Sequence, residues 1–219
     1  AISYKNKQIN IKEPFKGLFT QGMVCHETYK DNKNNWISPE EITTINNEKY
    51  LKKDTSQKVL IGPSESMSKS KKNTVDPEII IENYGADAVR LFILSDSPPE
   101  KDVQWSDEGI NSSYKFLNKL WDLHTKILNQ IDKNHTNNNN IELEKFTNKF
   151  IKKVTQNLNS FSYNIIVANL HEMHSYLIKI IEKKYTKKTL IDNYKKILTV
   201  ISPVVPHFAQ ECLKNIGSD

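Results

Sequence analysis

The chain has 219 residues, enough to bury a core without covalent staples, as one large domain or two small ones. Its two cysteines, Cys25 and Cys212, exclude a disulfide framework and a cysteine-rich zinc site, and no apolar run approaches the roughly 18 residues of a membrane span. Lys plus Arg is 31 and Asp plus Glu is 26, and the segment 141–188, with nine lysines against four glutamates, accounts for the whole net charge of +5.

Residues 1–60 read as a patchwork. Ile2–Tyr4, Gly22–Val24, Tyr50–Leu51 and Lys58–Ile61 lean toward strand, and Asp31–Asn35 is a turn signal. The opening lacks a clear first element, as if it began within a domain. Ile61–Thr74 has no periodicity and reads as a loop. Asp76-Pro77-Glu78 then supplies an N-cap, an N1 proline and an acid for the helix dipole. Gly85 suits the end of that short helix. Asp87 is placed to cap a second helix, Ala88–Ser95, which stops before Pro98-Pro99.

From Ser106 onward the pattern is helical. Tyr114, Leu117, Leu120/Trp121, His124, Ile127/Leu128 and Ile131 make one apolar stripe. Asn134–Asn140 reads as a polar linker. Phe146, Phe150, Val154 and Leu158 make a second stripe, and Tyr163 through Ile180/Ile181 a third. Leu190, Tyr194, Ile197/Leu198 and Ile201 make a fourth. A last helix is expected to start at Ser202-Pro203 and end at Gly217. One-sided helices with short connections predict an antiparallel bundle, so the fold class is mainly α with a small α/β part.

Two features carry chemistry. The lysines of 141–188 are a candidate polyanion-binding face, against the alternative of a solvated helix surface. Ser66-Met67-Ser68-Lys69-Ser70 combines small hydroxyls with a movable cation, a mixture able to close over phosphate; as composition alone it is equally an exposed basic linker.

The wording of that loop is more specific. Met67-Ser68-Lys69-Ser70 gives four of the five letters of KMSKS. It is followed by Lys71-Lys72-Asn73, then Asp76-Pro77, then Tyr84-Gly85-Ala86-Asp87-Ala88-Val89-Arg90. This order resembles the class I aminoacyl-tRNA synthetases. Within them the flanking words resemble leucyl-tRNA synthetases: Phe19-Thr20-Gln21-Gly22-Met23-Val24, Trp36-Ile37-Ser38-Pro39-Glu40 and Gln104-Trp105-Ser106. So do Phe116-Leu117-Asn118-Lys119-Leu120-Trp121 and Pro203-Val204-Val205-Pro206-His207-Phe208-Ala209. The isoleucyl, valyl and methionyl enzymes share the loop and the helix after it but match these words less well.

The resemblance implies that residues 1–105 are the end of a catalytic domain with its KMSKS-like loop and that 106–219 are a helical anticodon-binding-type domain. It implies an ATP-dependent ligase that activates leucine and transfers it to tRNA(Leu), working as a cytoplasmic monomer with Mg2+ on the ATP phosphates and no protein-bound metal. Lys69 would be catalytic within an ATP-binding loop of Ser66, Met67, Ser68, Lys69 and Ser70. Lys145, Lys149, Lys152, Lys153, Lys183 and Lys184 are the candidate tRNA contacts. Ser66 stands where the family has its first lysine; Lys71 and Lys72 stand outside the motif, as screened surface charge. No His-x-Gly-His occurs in these residues, so the piece alone is expected to be inactive. The alternatives are another class I specificity (isoleucyl, valyl or methionyl) and a non-enzymatic helical RNA-binding module.

Other candidates read as structural. Cys25-His26-Glu27 are adjacent and cannot alone wrap a tetrahedral ion. His171-Glu172-Met173-His174 is one residue short of H-E-x-x-H, and His174 falls on an apolar stripe. Trp36, Trp105 and Trp121 read as packing anchors. Arg90, the sole arginine, is expected to make a bidentate structural or tRNA contact.

Overall fold

Strand β1 (Val24–Lys30) organises the first third of the chain in the computed structural model, which describes residues 5–8, 10, 13, 15–133, 140–183 and 185–217. The expected strand at Ile2–Tyr4 and most of the expected linker at Asn134–Asn140 lie outside these residues; Asn140 opens a helix. Strands β2 (Trp36–Ile37), β3 (Ile42–Ile45), β4 (Glu48–Leu51), β5 (Asp54–Lys58), β6 (Leu60–Ser66) and β7 (Val103–Gln104) complete the β part. β6 runs antiparallel along one edge of β1, from Lys30↔Leu60 to Cys25↔Ser66. The other edge is shared by β2, antiparallel at Tyr29↔Ile37, and β7, parallel at Val24↔Val103.

Just before β1, the Gly22 N–H donates to the Pro99 carbonyl. A Cβ at Gly22 would stand 2.0 Å from the Lys101 carbonyl oxygen, so only glycine lets these backbones approach. β3, β4 and β5 form a separate meander. Its first hairpin turns at Asn46-Asn47, both at positive φ, in the two-residue turn that asparagine tolerates. A small apolar cluster of Tyr29, Ile37 and Val59 joins the two sheets.

Helix α1 (Pro77–Tyr84) begins as its punctuation predicts: Asp76 Oδ1 accepts from the Glu78 N–H at 2.9 Å, and Gly85 ends it at φ +81°. α2 (Ala86–Ser95) differs from expectation. It starts at Ala86, and Asp87 is not its cap but a buried residue of its first turn. The carboxylate is drawn away by stronger partners on a later helix, described below.

The bundle comprises α3 (Asp107–Asp132), α4 (Asn140–Asn159), α5 (Tyr163–Ile180), α6 (Lys187–Ile201) and α7 (Pro206–Asn215). Ser106 caps α3 through Gly109 N, and Thr186 caps α6 through Thr189 N. Ile166, Leu170, Leu198 and Val205 are fully buried, each large aliphatic side chain contributing about 1.5–3 kcal/mol. The stripes of α5 and α6 are buried as expected. That of α3 is buried as expected at Leu120, His124, Ile127 and Ile131, but Phe116 and Leu123 also go inward while Tyr114 and Trp121 stay 37% and 42% exposed. The cause is α5, whose His171 stacks on Phe116 at 3.6 Å.

The last helix starts at Pro206, not at Ser202-Pro203. Residues 202–205 form a turn, with the Val204 and Val205 N–H groups both donating to the Ile201 carbonyl.

Candidate functional site

The expected loop Ile61–Thr74 is partly strand. β6 continues to Ser66 because β1 pairs with it as far as Cys25, across a register shift between Glu27 and Tyr29, so the motif starts where the strand ends. Met67 N–H still donates to the Val24 carbonyl, and the chain then leaves the sheet. Lys69 and Ser70 are exposed at the tip.

What holds the loop is Asn73, which is fully buried. Its Oδ1 accepts from Ser68 N at 2.8 Å, and its Nδ2 donates to the carbonyls of His26 (3.2 Å) and Glu65 (3.1 Å). One amide thus ties the loop's entry, its second serine and strand β1 together. Lys72 closes the turn at φ +52°, its N–H donating to the Lys69 carbonyl at 3.3 Å. Ser68 Oγ accepts from Lys71 N and lies 3.3 Å from Ser70 Oγ.

The three lysines here are not equivalent. Lys71 is half-buried and ion-paired with Glu65, which corrects its reading as a free surface charge. Lys69 and Lys72 have no carboxylate within 4 Å among the described residues, so Lys69 is an unspent cation on a loop with an anchored base. Ser66 is exposed, with its hydroxyl 4.0 Å from Cys25 Sγ.

Beside the loop's base, a cleft of about 450 Å³ is lined by His26, Glu27 and Tyr29 of β1 and by Lys49 of β4. Lys49 Nζ donates to Glu27 Oε2 (2.6 Å) and to the Tyr29 hydroxyl (2.5 Å), and that hydroxyl donates to Glu27 at 2.8 Å. The hydrogen bond from Lys49 holds the Glu27 carboxyl below its ordinary range; burial pushes the Tyr29 hydroxyl up. Glu27 is therefore engaged, and among the described residues no group of three or more His, Cys, Asp or Glu side chains could hold a metal ion.

On the bundle, Lys145, Lys149 and Lys152 follow i, i+4, i+7 along α4 and are all exposed. No carboxylate among the described residues lies within 4 Å of them. Lys153 and Lys183 are instead paired with Glu172 and Glu142, each at 2.7 Å. Lys184 lies outside the described residues. His174 is half-buried, edge-on to Phe116, and burial lowers the pKa of both His171 and His174. Trp105 packs edge-on against Phe92, and Lys30 lies over the ring of Trp36.

Two roles escape a reading of the sequence. Asn73 follows the motif visibly, but its service as an anchor depends on β1 lying alongside. Asp87 looks like a local cap because its true partners are about 120 residues away.

Residues 56–106 match the family of class I tRNA synthetases (I, L, M and V), and residues 140–219 match the anticodon-binding domain of tRNA ligases. Leucine–tRNA ligase of Rickettsia massiliae is 40% identical over 218 residues, 99% of this chain and 26% of that protein. The enzyme of the Wolbachia of Culex pipiens is 42% identical over 215 residues, 96% of this chain and 25% of that protein. The chain thus spans about a quarter of the length of the curated relatives it matches. In fold it is similar over its whole length to a quarter of the Agrobacterium radiobacter K84 LeuRS solved with tRNA and LeuAMS, at TM-score 0.71 and 20% identity. Over 70% of its length it is similar to 36% of Mycobacterium tuberculosis methionyl-tRNA synthetase, at TM-score 0.57 and 21% identity. With its strand-anchored KMSKS-like loop, its helical bundle and 40% identity along 99% of its own length, the chain is similar to about a quarter of the length of leucine–tRNA ligases and carries matches to the class I tRNA synthetase (I, L, M and V) and anticodon-binding families.

Proposed function

We propose that this chain is the loop-bearing and helical part of a leucine–tRNA ligase, with residues 1–105 closing the catalytic domain and 106–219 forming the tRNA-binding bundle. In the reaction, the leucine carboxylate attacks the α-phosphate of ATP and pyrophosphate leaves; the terminal ribose hydroxyl of tRNA(Leu) then takes the leucyl group from the adenylate. The observation that carries the site is Lys69, an unpaired ammonium at the tip of a loop whose base is locked by Asn73. Such a group can follow the charge that grows on pyrophosphate as the loop closes, which lowers the barrier more than it tightens ground-state binding. Around it, Ser66, Ser68 and Ser70 offer hydroxyl donors, while the N–H groups of Met67 and Ser68 hold the loop to β1 and to Asn73. Mg2+ arrives on the ATP phosphates in this reading, as part of the substrate.

The tRNA is met by the α4 lysines. Lys145, Lys149 and Lys152 are free to neutralise phosphates, and Lys153 and Lys183 must first give up their carboxylates. The 40% identity to leucine–tRNA ligases supports leucine over isoleucine, valine and methionine as substrate. Partners are then leucine, ATP and tRNA(Leu), and the expected setting is a cytoplasmic monomer; among the described residues no helix is long and apolar enough to cross a membrane.

The test is ATP–pyrophosphate exchange by the full-length protein with each of the four amino acids. Exchange is expected with leucine above the other three. Exchange led by another of them would assign a different class I specificity. No exchange with any, alongside retained tRNA binding, would leave a helical RNA-binding module.

A further inference from the structure

Asp87 and Arg90 lie on successive turns of α2 and reach the same place, the turn between α6 and α7. Asp87 is only 4% exposed. Its Oδ2 accepts from the backbone N–H of Phe208 at 2.7 Å, and its Oδ1 is 2.9 Å from His207 Nδ1. Phe208 is the third residue of α7, so Asp87 caps that helix from 121 positions away. The α7 boundary residue Val205 offers no side-chain cap of its own. Arg90 supplies the complementary half. Its Nε donates to the Val204 carbonyl at 3.1 Å and its Nη2 to the Pro203 carbonyl at 2.6 Å. A carboxylate thus satisfies donors at the start of α7 while a guanidinium satisfies acceptors just before it.

The composition sharpens the point. Of 31 basic residues 30 are lysine, and the one arginine stands where two successive carbonyls need a planar fork. A lysine ammonium there would be a single point charge on a flexible stem. The apolar contacts of α2, through Leu91 and Phe92, bury area but are non-directional and do not fix an angle. The four polar contacts do. α2 in turn follows α1 directly through Gly85, and α1 follows the loop.

We propose that Asp87 and Arg90 are positioning residues that fix the lysine-bearing bundle relative to the Lys69 loop, so that a tRNA held by α4 arrives in register with the adenylate. This rests on the functional reading above, and its test separates the two. In the full-length protein, Asp87→Asn, Arg90→Lys and Arg90→Met are compared with the unsubstituted chain. Leucine-dependent ATP–pyrophosphate exchange, which needs no tRNA, should stay within about twofold, while the KM for tRNA in aminoacylation rises. The rise should be about tenfold or more, as expected when a hydrogen bond to a charged group is lost. Arg90→Lys should fail to restore the unsubstituted value. Spin labels at the exposed positions Glu82 on α1 and Gln210 on α7 should show a broadened distance distribution in each variant. Parallel loss of exchange and aminoacylation, Arg90→Lys behaving as the unsubstituted protein, or unchanged label distances would each overturn the clamp. An unsubstituted protein without leucine-dependent exchange would overturn the functional reading instead, and the label distances would then decide the clamp alone.

Discussion

The Lys69 loop and the helical bundle are held by opposite means. The loop depends on one buried amide, Asn73, with directional bonds to the Ser68 N–H and to the carbonyls of His26, Glu65 and Ser66. The bundle depends on a continuous apolar cluster running through α3 to α7. Directional bonds to a single side chain leave a tip free to move while its base stays fixed. Distributed apolar burial does the reverse: it tolerates small shifts anywhere but opens nowhere. A segment that must close on a substrate suits the first design, and a surface that must present lysines at fixed spacing suits the second.

The comparison breaks most visibly at the bundle's centre. Leu170 is fully buried on α5, and Leu170→Ala should cost about 2–5 kcal/mol by leaving a cavity. Chemical denaturation measures it; a loss under about 1 kcal/mol would mean that the bundle collapses around the gap.

Lys69→Ala should show the opposite profile. Lys69 is exposed, so the melting temperature should hold. The rate of leucine-dependent exchange in the full-length protein should fall about 10²–10³-fold, or roughly 3–4 kcal/mol of transition-state stabilisation. Lys72→Ala should change the rate little, because Lys72 is an exposed, screened charge off the tip. Equal damage from both, or an effect confined to the leucine KM, would remove the role given to Lys69.

Asn73→Ala tests whether the loop's base matters as much as its tip. It strands the Ser68 N–H and removes a donor from the carbonyls of His26, Glu65 and Ser66, at a cost of about 1–3 kcal/mol. Amide exchange at Ser68 should speed up while the protection of α5 stays unchanged.

For the lysine face the measurable quantity is salt dependence. If Lys145, Lys149 and Lys152 each neutralise one phosphate, tRNA affinity should fall with salt at a log–log slope of about −2 to −3. Replacing all three with alanine should flatten that slope, whereas replacing Lys153 should change it less, since Glu172 already holds it. A slope near zero in the unsubstituted protein would make α4 an ordinary solvated surface.

The smallest effect expected is with acid. Burial lowers the pKa of His124, whose Nδ1 lies 3.1 Å from the Tyr194 hydroxyl. The unfolded chain takes up this proton near pH 6.5 and the folded chain only at lower pH. Stability should therefore be level above about pH 7 and decline as pH falls through 6.5 toward the folded value. His171 and His174, both lowered chiefly by burial, act in the same direction. His124→Asn should shallow the decline, and an unchanged pH profile would show that the imidazole titrates alike in both states.

Sequence alone determined whatever depends on neighbours along the chain. Asp76, Pro77 and Gly85 bracket α1 by local hydrogen bonding and backbone preference, so the helix was legible where it stands. The stripes of α5 and α6 were legible because periodic burial is written at i, i+3 and i+4. The motif around Lys69 was legible as an order of letters. Tertiary structure decided what each letter does when its partner is remote. Strand β6 extends to Ser66 only because β1 lies beside it. The α3 stripe widens to take in Phe116 where His171 of α5 stacks on it. The sequence pairs Asp87 with its own helix, yet its carboxylate serves α7, and Arg90 holds the carbonyls of Pro203 and Val204 in the turn before that helix starts at Pro206. A charged group goes to the partner that best satisfies it, and periodicity, which records only local spacing, does not encode where the fold will bring that partner.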